Sequence, residues 1–141
     1  MIENRKFRVI LDTNILLVSI PTKSEYHWIF EMLVNENYDL FISNDILSEY
    51  EEILDSKTKP EIKTAVIDFL ITADNVYKTF PYFKWNLITV DPDDNKFVDC
   101  AIASNADCIV TNDSHFNVLK DIPFPKITVL TPEMFKILFI S

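Results

Sequence analysis

The sequence predicts an α/β fold: a single-domain, three-layer α/β/α arrangement around a mostly parallel central sheet, spanning residues 1–141. Strand-like and helix-like segments alternate along the chain, which is the pattern of a parallel sheet covered by helices on both faces. The first segment, residues 7–11, is β-branched and apolar, ends abruptly at Asp12, and has the character of a buried strand. The length suits one core, and no repeat or linker divides the chain.

The first half of the chain is predicted to continue with three helices and a second strand. Residues 25–34 carry apolar side chains at helical spacing, and residues 38–42 form a short apolar strand. Ser43 or Asn44 offers an N-cap to the next helix, and a further helix is predicted over 60–73. The apolar positions on the three helices are Tyr26, Ile29, Phe30, Leu33, Ile46, Leu47, Tyr50, Ile53, Leu54, Ile62, Val66, Phe69 and Leu70.

The second half repeats the alternation after an aromatic, less periodic stretch at 76–90. The final helix has the clearest start, because Thr131 is a capping residue and Pro132 takes the first helical position. The remaining elements, in chain order, are a strand within 86–90, a helix at about 94–106, a strand at 108–111, a short helix at about 115–119 and a strand at 127–130.

Composition excludes several functions. Glycine is absent, which excludes Gly-rich phosphate loops and the dinucleotide fingerprint. The chain has 22 acidic residues against 13 Lys and Arg, a formal charge of −9, which argues against a broad basic surface for nucleic acid. Three explanations remain open. The acids are concentrated in one site neutralised by divalent cations, or an acidic surface awaits a basic partner, or the protein is simply acidic and soluble.

The chain carries no signal for a membrane or an oxidising compartment. No apolar run reaches about 18 residues, and the first six residues lack the apolar core of a secretory signal. Cys100 and Cys108 have neither zinc-site nor disulfide spacing, so we expect buried apolar thiols. We therefore expect a cytoplasmic protein.

Two acids follow the two clearest strands. Asp12 comes directly after the first strand, and Asp113 comes just after the strand that ends at Thr111. Either acid alone could be a helix cap. Because the carboxyl ends of parallel strands meet at one edge of a sheet, where ligands collect, the pair predicts a site at that edge.

Helix geometry adds a third acid. At 100° per residue, Glu49 falls on the shoulder of the apolar stripe of its helix, whereas Glu51 and Glu52 lie farther from it. Glu49 can therefore bend over the sheet edge. The alternative is that the whole charge run is a solvated face.

The fourth acid is Asp94 or Asp99. Asp94 lies on the inward side of its predicted helix, in line with Phe97. Asp99 is one turn beyond Asn95, on a flank of small residues. Either side chain can reach the site, and the sequence does not decide between them.

Such a cluster of acids predicts a metal. Four carboxylates at one edge repel each other unless a cation lies among them. Oxygen ligands suit Mg²⁺ or Mn²⁺ rather than zinc. Such an ion lowers the pKa of a bound water and stabilises charge on a phosphate, so phosphodiester hydrolysis is the predicted reaction.

Four segments resemble the PIN-domain family, in particular its VapC-like toxin nucleases and a neighbouring group of toxins. The resemblance runs from Val9 to about Leu130. The segments are VILDTN at 9–14, SNDILSEY at 43–50, DPDDNKFVDCA at 91–101 and ADCIVTND at 106–113.

The resemblance implies a metal-dependent endoribonuclease that uses Mg²⁺ or Mn²⁺, forms a homodimer and is inhibited by a cognate, basic antitoxin. Asn14 would hydrogen-bond to the centre and Thr111 would support it. The metal-binding and catalytic acids would be Asp12, Glu49, Asp113 and one of Asp94 and Asp99.

The third acid is where this chain departs from the common toxin pattern. Gapless spacing back from Asp113 leads to Asn95, which is not an acid. Asp94 or Asp99 would have to take its place.

Three other functions are alternatives to the nuclease. A non-catalytic PIN-like binding protein would hold no metal. A phospho-accepting signalling module wants an acidic pair after the first strand and a lysine after a late strand, but Thr13 and Asn112 stand there. A haloacid-dehalogenase phosphatase wants a second Asp at position 14, which is Asn.

Histidines and tryptophans are left out of the predicted site. His115 is expected at the surface or in packing, and Ser114 lacks the context of a nucleophile. Trp28 and Trp85 are expected to anchor the core or an interface. For Trp85, base stacking together with Tyr82 and its neighbours is the alternative.

Overall fold

The computed structural model describes residues 6–140, with residue 140 described by its backbone alone; the ends of the predicted 1–141 domain lie outside this range. The strands are β1 (Arg8–Leu11), β2 (Asp39–Ile42), β3 (Val76–Lys78), β4 (Cys108–Val110) and β5 (Val129–Leu130). The helices are α1 (Thr13–Ser19), α2 (His27–Val34), α3 (Asn44–Lys57), α4 (Pro60–Thr72), α5 (Asn95–Ser104) and α6 (Pro132–Ile140), with 3₁₀ helices at Pro92–Asp94 and Ser114–Asp121.

The sheet is parallel throughout, with strand order β3-β2-β1-β4-β5, so the predicted α/β class is confirmed. Val9 in the central strand pairs with Leu40 on one side and Cys108 on the other, and all three side chains are buried. A strand buried on both faces needs an apolar run rather than an alternating one, and β1 has it. Helices pack against the sheet around one hydrophobic core.

The strand predicted within 86–90 is wrong. Residues 79–90 have no regular secondary structure, and the edge strand is Val76–Lys78, paired with β2. The backbone N–H and carbonyl of Ile88 are bonded to a side-chain amide, so they are not available to a sheet. Asn86 has a φ of 53°, which interrupts an extended run. Apolar content alone did not reveal these two local constraints.

A short helix follows the first strand immediately, and the sequence analysis did not predict it as an element. Helix α1 begins at Thr13, directly after Asp12, and packs against both α2 and α3. Ser43 caps α3 as expected, its hydroxyl accepting the N–H of Ile46 at 3.2 Å. Both helices therefore begin directly after a strand, at the edge where the strands end.

The two thiols lie in the core, as expected. Cys100 and Cys108 are free and buried, and burial raises the pKa of both, that of Cys100 to about 12. Such thiols stay protonated and unreactive near neutral pH. Among the helices of residues 6–140, none combines the length and apolar character needed to cross a bilayer.

Candidate metal centre at the carboxyl edge of the sheet

One threonine positions the two acids that follow strands. The backbone N–H of Asp12 donates to the carbonyl of Val110 in the neighbouring strand at 3.1 Å. Thr111 is buried, and its hydroxyl donates to Oδ2 of Asp12 at 2.7 Å. The same hydroxyl oxygen accepts the backbone N–H of Asp113 at 2.9 Å. Since β1 and β4 are adjacent and parallel, their carboxyl ends bring both acids to one edge.

Glu49 reaches this edge because helix α3 is docked on the end of β1. The neighbouring side chain, Tyr50, is buried, and its hydroxyl donates to the carbonyl of Leu11 at 2.5 Å. Oε2 of Glu49 accepts a hydrogen bond from the hydroxyl of Thr13. Oε1 accepts one from Nζ of Lys96 at 2.5 Å. The Glu49 carboxylate is therefore held by groups from two other helices, α1 and α5.

A histidine links the remaining acids to the strand end. Asp94 closes the first 3₁₀ helix and is buried, and Asp91 caps that helix by accepting the backbone N–H of Asp93 at 3.2 Å. Nδ1 of His115 lies 3.3 Å from carboxylate oxygens of both Asp94 and Asp113. Asp91, Asp94 and His115 each present one ligand atom, and these three atoms lie within 4.8 Å of one another.

Burial and neighbouring charges raise the pKa of two of the acids, Asp12 and Asp94. Burial raises the pKa of Asp12 above its usual value, and the charges of Asp113 and Glu49 raise it further. Burial also raises the pKa of Asp94, to about 7, and the charge of Asp113 is the next largest cause. A set of carboxylates that favours protonation in this way carries surplus negative charge, and a bound cation would relieve it.

Sequence reasoning missed three residues of this arrangement, namely Lys96, His115 and Asp91. For Lys96, burial lowers the pKa of the amine, but the hydrogen bond and charge of Glu49 outweigh this effect, so the net shift of the pKa is upward. His115 was expected elsewhere, and Asp91 was not considered. The available signals were the spacing of His115 two residues after Asp113 and the position of Asp91 and Lys96 in the acidic segment before α5.

Asp99 and Asn14 are not brought together with the five other predicted residues. The carboxylate of Asp99 accepts the backbone N–H of Trp85 at 3.1 Å, and burial raises its pKa. It lines cavities formed by the aromatic segment after β3. Asn14 is exposed in the first turn of α1. Among the hydrogen bonds of residues 6–140, none joins the Asn14 side chain to the acids.

Asn95 occupies the gapless third-acid position and has a structural task. Its side chain is buried, Oδ1 accepts the N–H of Ile88 at 2.9 Å, and Nδ2 donates to the Ile88 carbonyl at 2.8 Å. The amide thus pairs with Ile88 much as a neighbouring strand would. A carboxylate has no donor for that carbonyl, so an acid at this position would break the pairing.

We expect Asn95→Asp to destabilise the chain, although it adds an acid at the position that the family spacing indicates. The Ile88 carbonyl would face a carboxylate oxygen, and a buried unsatisfied group costs about 1–3 kcal/mol. Urea denaturation should show a free energy of unfolding lower by about 2 kcal/mol or more. The exposed Asn117→Asp is the control and should change stability by less than about 0.5 kcal/mol. Equal stability of the two variants would contradict this role of Asn95.

The fold and these contacts define a class: a parallel α/β domain with a carboxylate-rich centre where its strands end. The PIN domain family matches residues 8–115, which is more than half of the chain, and the chain belongs to the PIN-domain family. The resemblance drawn from the four sequence segments is thereby confirmed. No curated protein sequence matches this chain.

Three solved structures show a similar fold. VapBC2 from Rickettsia felis, bound to a DNA fragment from its promoter, has a TM-score of 0.62 at 20% identity, covering 89% of this chain and 98% of that one. FitAcB from Neisseria gonorrhoeae has a TM-score of 0.55 at 14% identity, with coverages of 89% and 98%. FitAB bound to an IR36 DNA fragment has a TM-score of 0.57 at 12% identity, with coverages of 88% and 94%.

Proposed function

We propose that this chain is a divalent-metal-dependent endoribonuclease that hydrolyses RNA phosphodiester bonds. The observation that carries the proposal is the meeting of acids from separate segments at one edge of the sheet, with a lysine and a histidine between them. The acids are Asp12, Glu49, Asp94 and Asp113. Membership of the PIN-domain family, many of whose members are nucleases, supports the same reaction.

The donor set fits a hard divalent cation. The site offers carboxylate oxygens, which suit Mg²⁺ or Mn²⁺, and burial together with the charges of Asp113 and Asp91 raises the pKa of Asp94. Asp12, Asp94 and Asp113 would hold the ion, with Glu49 beside them. When bound, the ion supplies a Lewis acid that activates water and offsets charge on the phosphate.

The chain's own residues would orient this centre. Thr111 holds one carboxylate oxygen of Asp12 and the backbone of Asp113, so two ligands keep a fixed separation. Lys96 offsets part of the charge of Glu49 and fixes the direction of its carboxylate. Nδ1 of His115 lies 3.3 Å from carboxylate oxygens of both Asp94 and Asp113, so its ring would orient the two acids. Outer contacts of this kind tune metal affinity.

We further propose Asp94, rather than Asp99, as the third acid. The pKa of Asp94 responds to the charges of Asp113 and Asp12, so it shares their electrostatic environment. The carboxylate of Asp99 is engaged by the backbone of Trp85.

A toxin of a toxin–antitoxin pair is the biological setting that we propose. The structural neighbours are solved as VapBC and FitAB complexes, two of them on DNA. A basic antitoxin would suit the charge of −9, and RNA in the cytoplasm would be the substrate. We propose a homodimer on the same grounds of family likeness.

RNA cleavage by the purified, partner-free chain tests the activity. Cleavage of a mixed RNA substrate should require Mg²⁺ or Mn²⁺ and stop in EDTA. Asp12→Asn and Glu49→Gln should each lower kcat/KM more than about hundredfold, because each removes charge from the centre. Glu51→Gln is the matched control, since Glu51 lies on the same helix but is exposed and pairs with Lys63 at 3.8 Å. Normal Mn²⁺ binding by calorimetry without cleavage of any RNA would instead indicate a non-catalytic binding protein.

A further inference from the structure

We propose that the aromatic segment 80–85, with Lys84 and Lys96, binds the unpaired bases of single-stranded RNA beside the carboxylate centre. We call these residues the aromatic surface. The inference rests on the proposed function, since it names how the substrate of that centre is held.

The aromatic surface concentrates exposed rings. Among residues 6–139, six aromatic side chains are exposed, and four of them lie within 80–85. Phe80 is 60% exposed, Tyr82 94%, Phe83 75% and Trp85 37%. A cluster of large apolar groups left in water in this way marks an interaction site.

The local charge is the reverse of the chain's. The chain carries 22 acidic residues, yet residues 75–90 contain none, which is the longest stretch of the sequence free of Asp and Glu. The same stretch holds Lys78 and Lys84. The segment itself therefore offers rings and lysines, which bind bases and phosphate, and no carboxylate with which a basic antitoxin could pair, so we take RNA as the occupant.

The aromatic surface is continuous with the centre. Phe80, Phe83 and Lys84 line a cavity of about 220 Å³ together with Lys96 and with two acids, Asp45 and Asp99. Lys96 also lines a second cavity, of about 380 Å³, that contains Glu49. Since Nζ of Lys96 lies 2.5 Å from Glu49, one side chain joins the two cavities. A strand whose bases contact the rings can therefore continue to the carboxylates.

The backbone of the aromatic surface is held in place without regular secondary structure. Asp99 accepts the N–H of Trp85 at 3.1 Å, and Asn95 pairs with Ile88 on both its N–H and carbonyl. The Phe83 and Trp85 rings lie 6.0 Å apart at 45°, so each keeps a free face. Rings that are fixed before binding lose less entropy when a base stacks on them. Stacking tolerates any base but needs it unpaired, which selects single strands.

Binding is tested without cleavage, by fluorescence anisotropy of a labelled, unstructured 15-nucleotide RNA. The titrant is the full chain carrying Asp12→Asn, in EDTA. Adding Tyr82→Ala and Phe83→Ala to it should weaken the Kd about tenfold or more, because stacking is lost at two positions. Phe124→Ala is the matched control, since Phe124 is 82% exposed but lines none of these cavities; it should leave the Kd within about twofold. The same RNA annealed to its complement should bind much more weakly than the single strand.

The outcomes separate this proposal from the proposed function. The proposal for the aromatic surface is overturned if the double variant has an unchanged Kd for the RNA. It is also overturned if the Asp12→Asn chain binds no single-stranded RNA, even when the unsubstituted chain cleaves RNA. Retained RNA binding with lost affinity for a basic partner would also overturn it and assign the rings to protein contacts. If the unsubstituted chain cleaves nothing while the rings still govern the Kd, the aromatic surface is supported and the nuclease function fails.

Discussion

Replacing Asp94 with Asn should abolish both Mn²⁺ binding and RNA cleavage by this chain. The carboxylate is buried, lies 3.3 Å from Nδ1 of His115 and is close enough to Asp113 for the charge of that acid to raise its pKa, so the substitution removes an anionic ligand from the middle of the cluster. We expect kcat/KM to fall more than about hundredfold, which is the scale of losing a group that supports a catalytic ion. Calorimetric titration with Mn²⁺ and a cleavage assay on the same preparation measure the two effects.

Asp99→Asn is the informative comparison for metal binding. Its carboxylate contacts the backbone of Trp85 and not the acids of the centre, so the Mn²⁺ affinity should stay within about twofold of the unsubstituted chain. If Asp99→Asn loses the metal while Asp94→Asn keeps it, the assignment of the third acid is reversed.

The metal-free chain should become less stable as the pH rises from about 5 to 8. The folded-state pKa of Asp94 is about 7, against the ordinary value of 3.8 for this carboxyl group in an unfolded chain. Between these values the folded state binds more protons than the unfolded state, so the free energy of unfolding falls as pH rises. Asp12 acts in the same direction, since its pKa is also raised. For Asp94, the stabilisation is fully present below about pH 4 and is lost as the pH rises from there through about 7.

Thermal unfolding in EDTA at pH 5.5 and 8 measures this dependence. Asp94→Asn should raise the Tm at pH 8 by about 5 °C and reduce the difference in Tm between pH 5.5 and pH 8. The reason is that it removes a buried carboxylate that is repelled by neighbouring acids. Mn²⁺ in excess of its Kd should raise the Tm of the unsubstituted chain at pH 8 and leave that of the variant unchanged. A variant with the same pH dependence as the unsubstituted chain would show that other groups cause it.

Local patterns carried most of the fold. The apolar run before Asp12 predicted a strand buried on both faces, and the helical spacing after Ser43 predicted α3 with its cap. These predictions succeed because burial on a strand or one side of a helix leaves a periodic trace in the sequence. The edge strand at Val76–Lys78 was not predicted, for the converse reason: its exposed residues show no apolar periodicity. The apolar stretch at 86–90 was predicted as a strand, but the side chain of Asn95 occupies the backbone N–H and carbonyl of Ile88 there.

The candidate site divides in the same way. Asp12 and Asp113 could be placed by sequence, since each directly follows a strand and the parallel order of strands sends both to one edge. Glu49 could be placed by its azimuth on a helix, but its partners could not. Thr13 and Lys96 come from helices distant along the chain, and only packing brings them to its two oxygens.

The sequence by itself therefore determined the class of fold, the edge at which a site would form and three of its acids, because strand ends and helix periods are local properties. Only the packing of the chain places His115 against Asp94 and Asp113 and the carboxylate of Asp99 against the backbone of Trp85, and on these contacts we propose Asp94 as the acid that joins them. The difference is one of side-chain direction at the start of α5. The two acids lie five residues apart, and the packing of that helix against the sheet turns one toward the strand ends and the other toward Trp85.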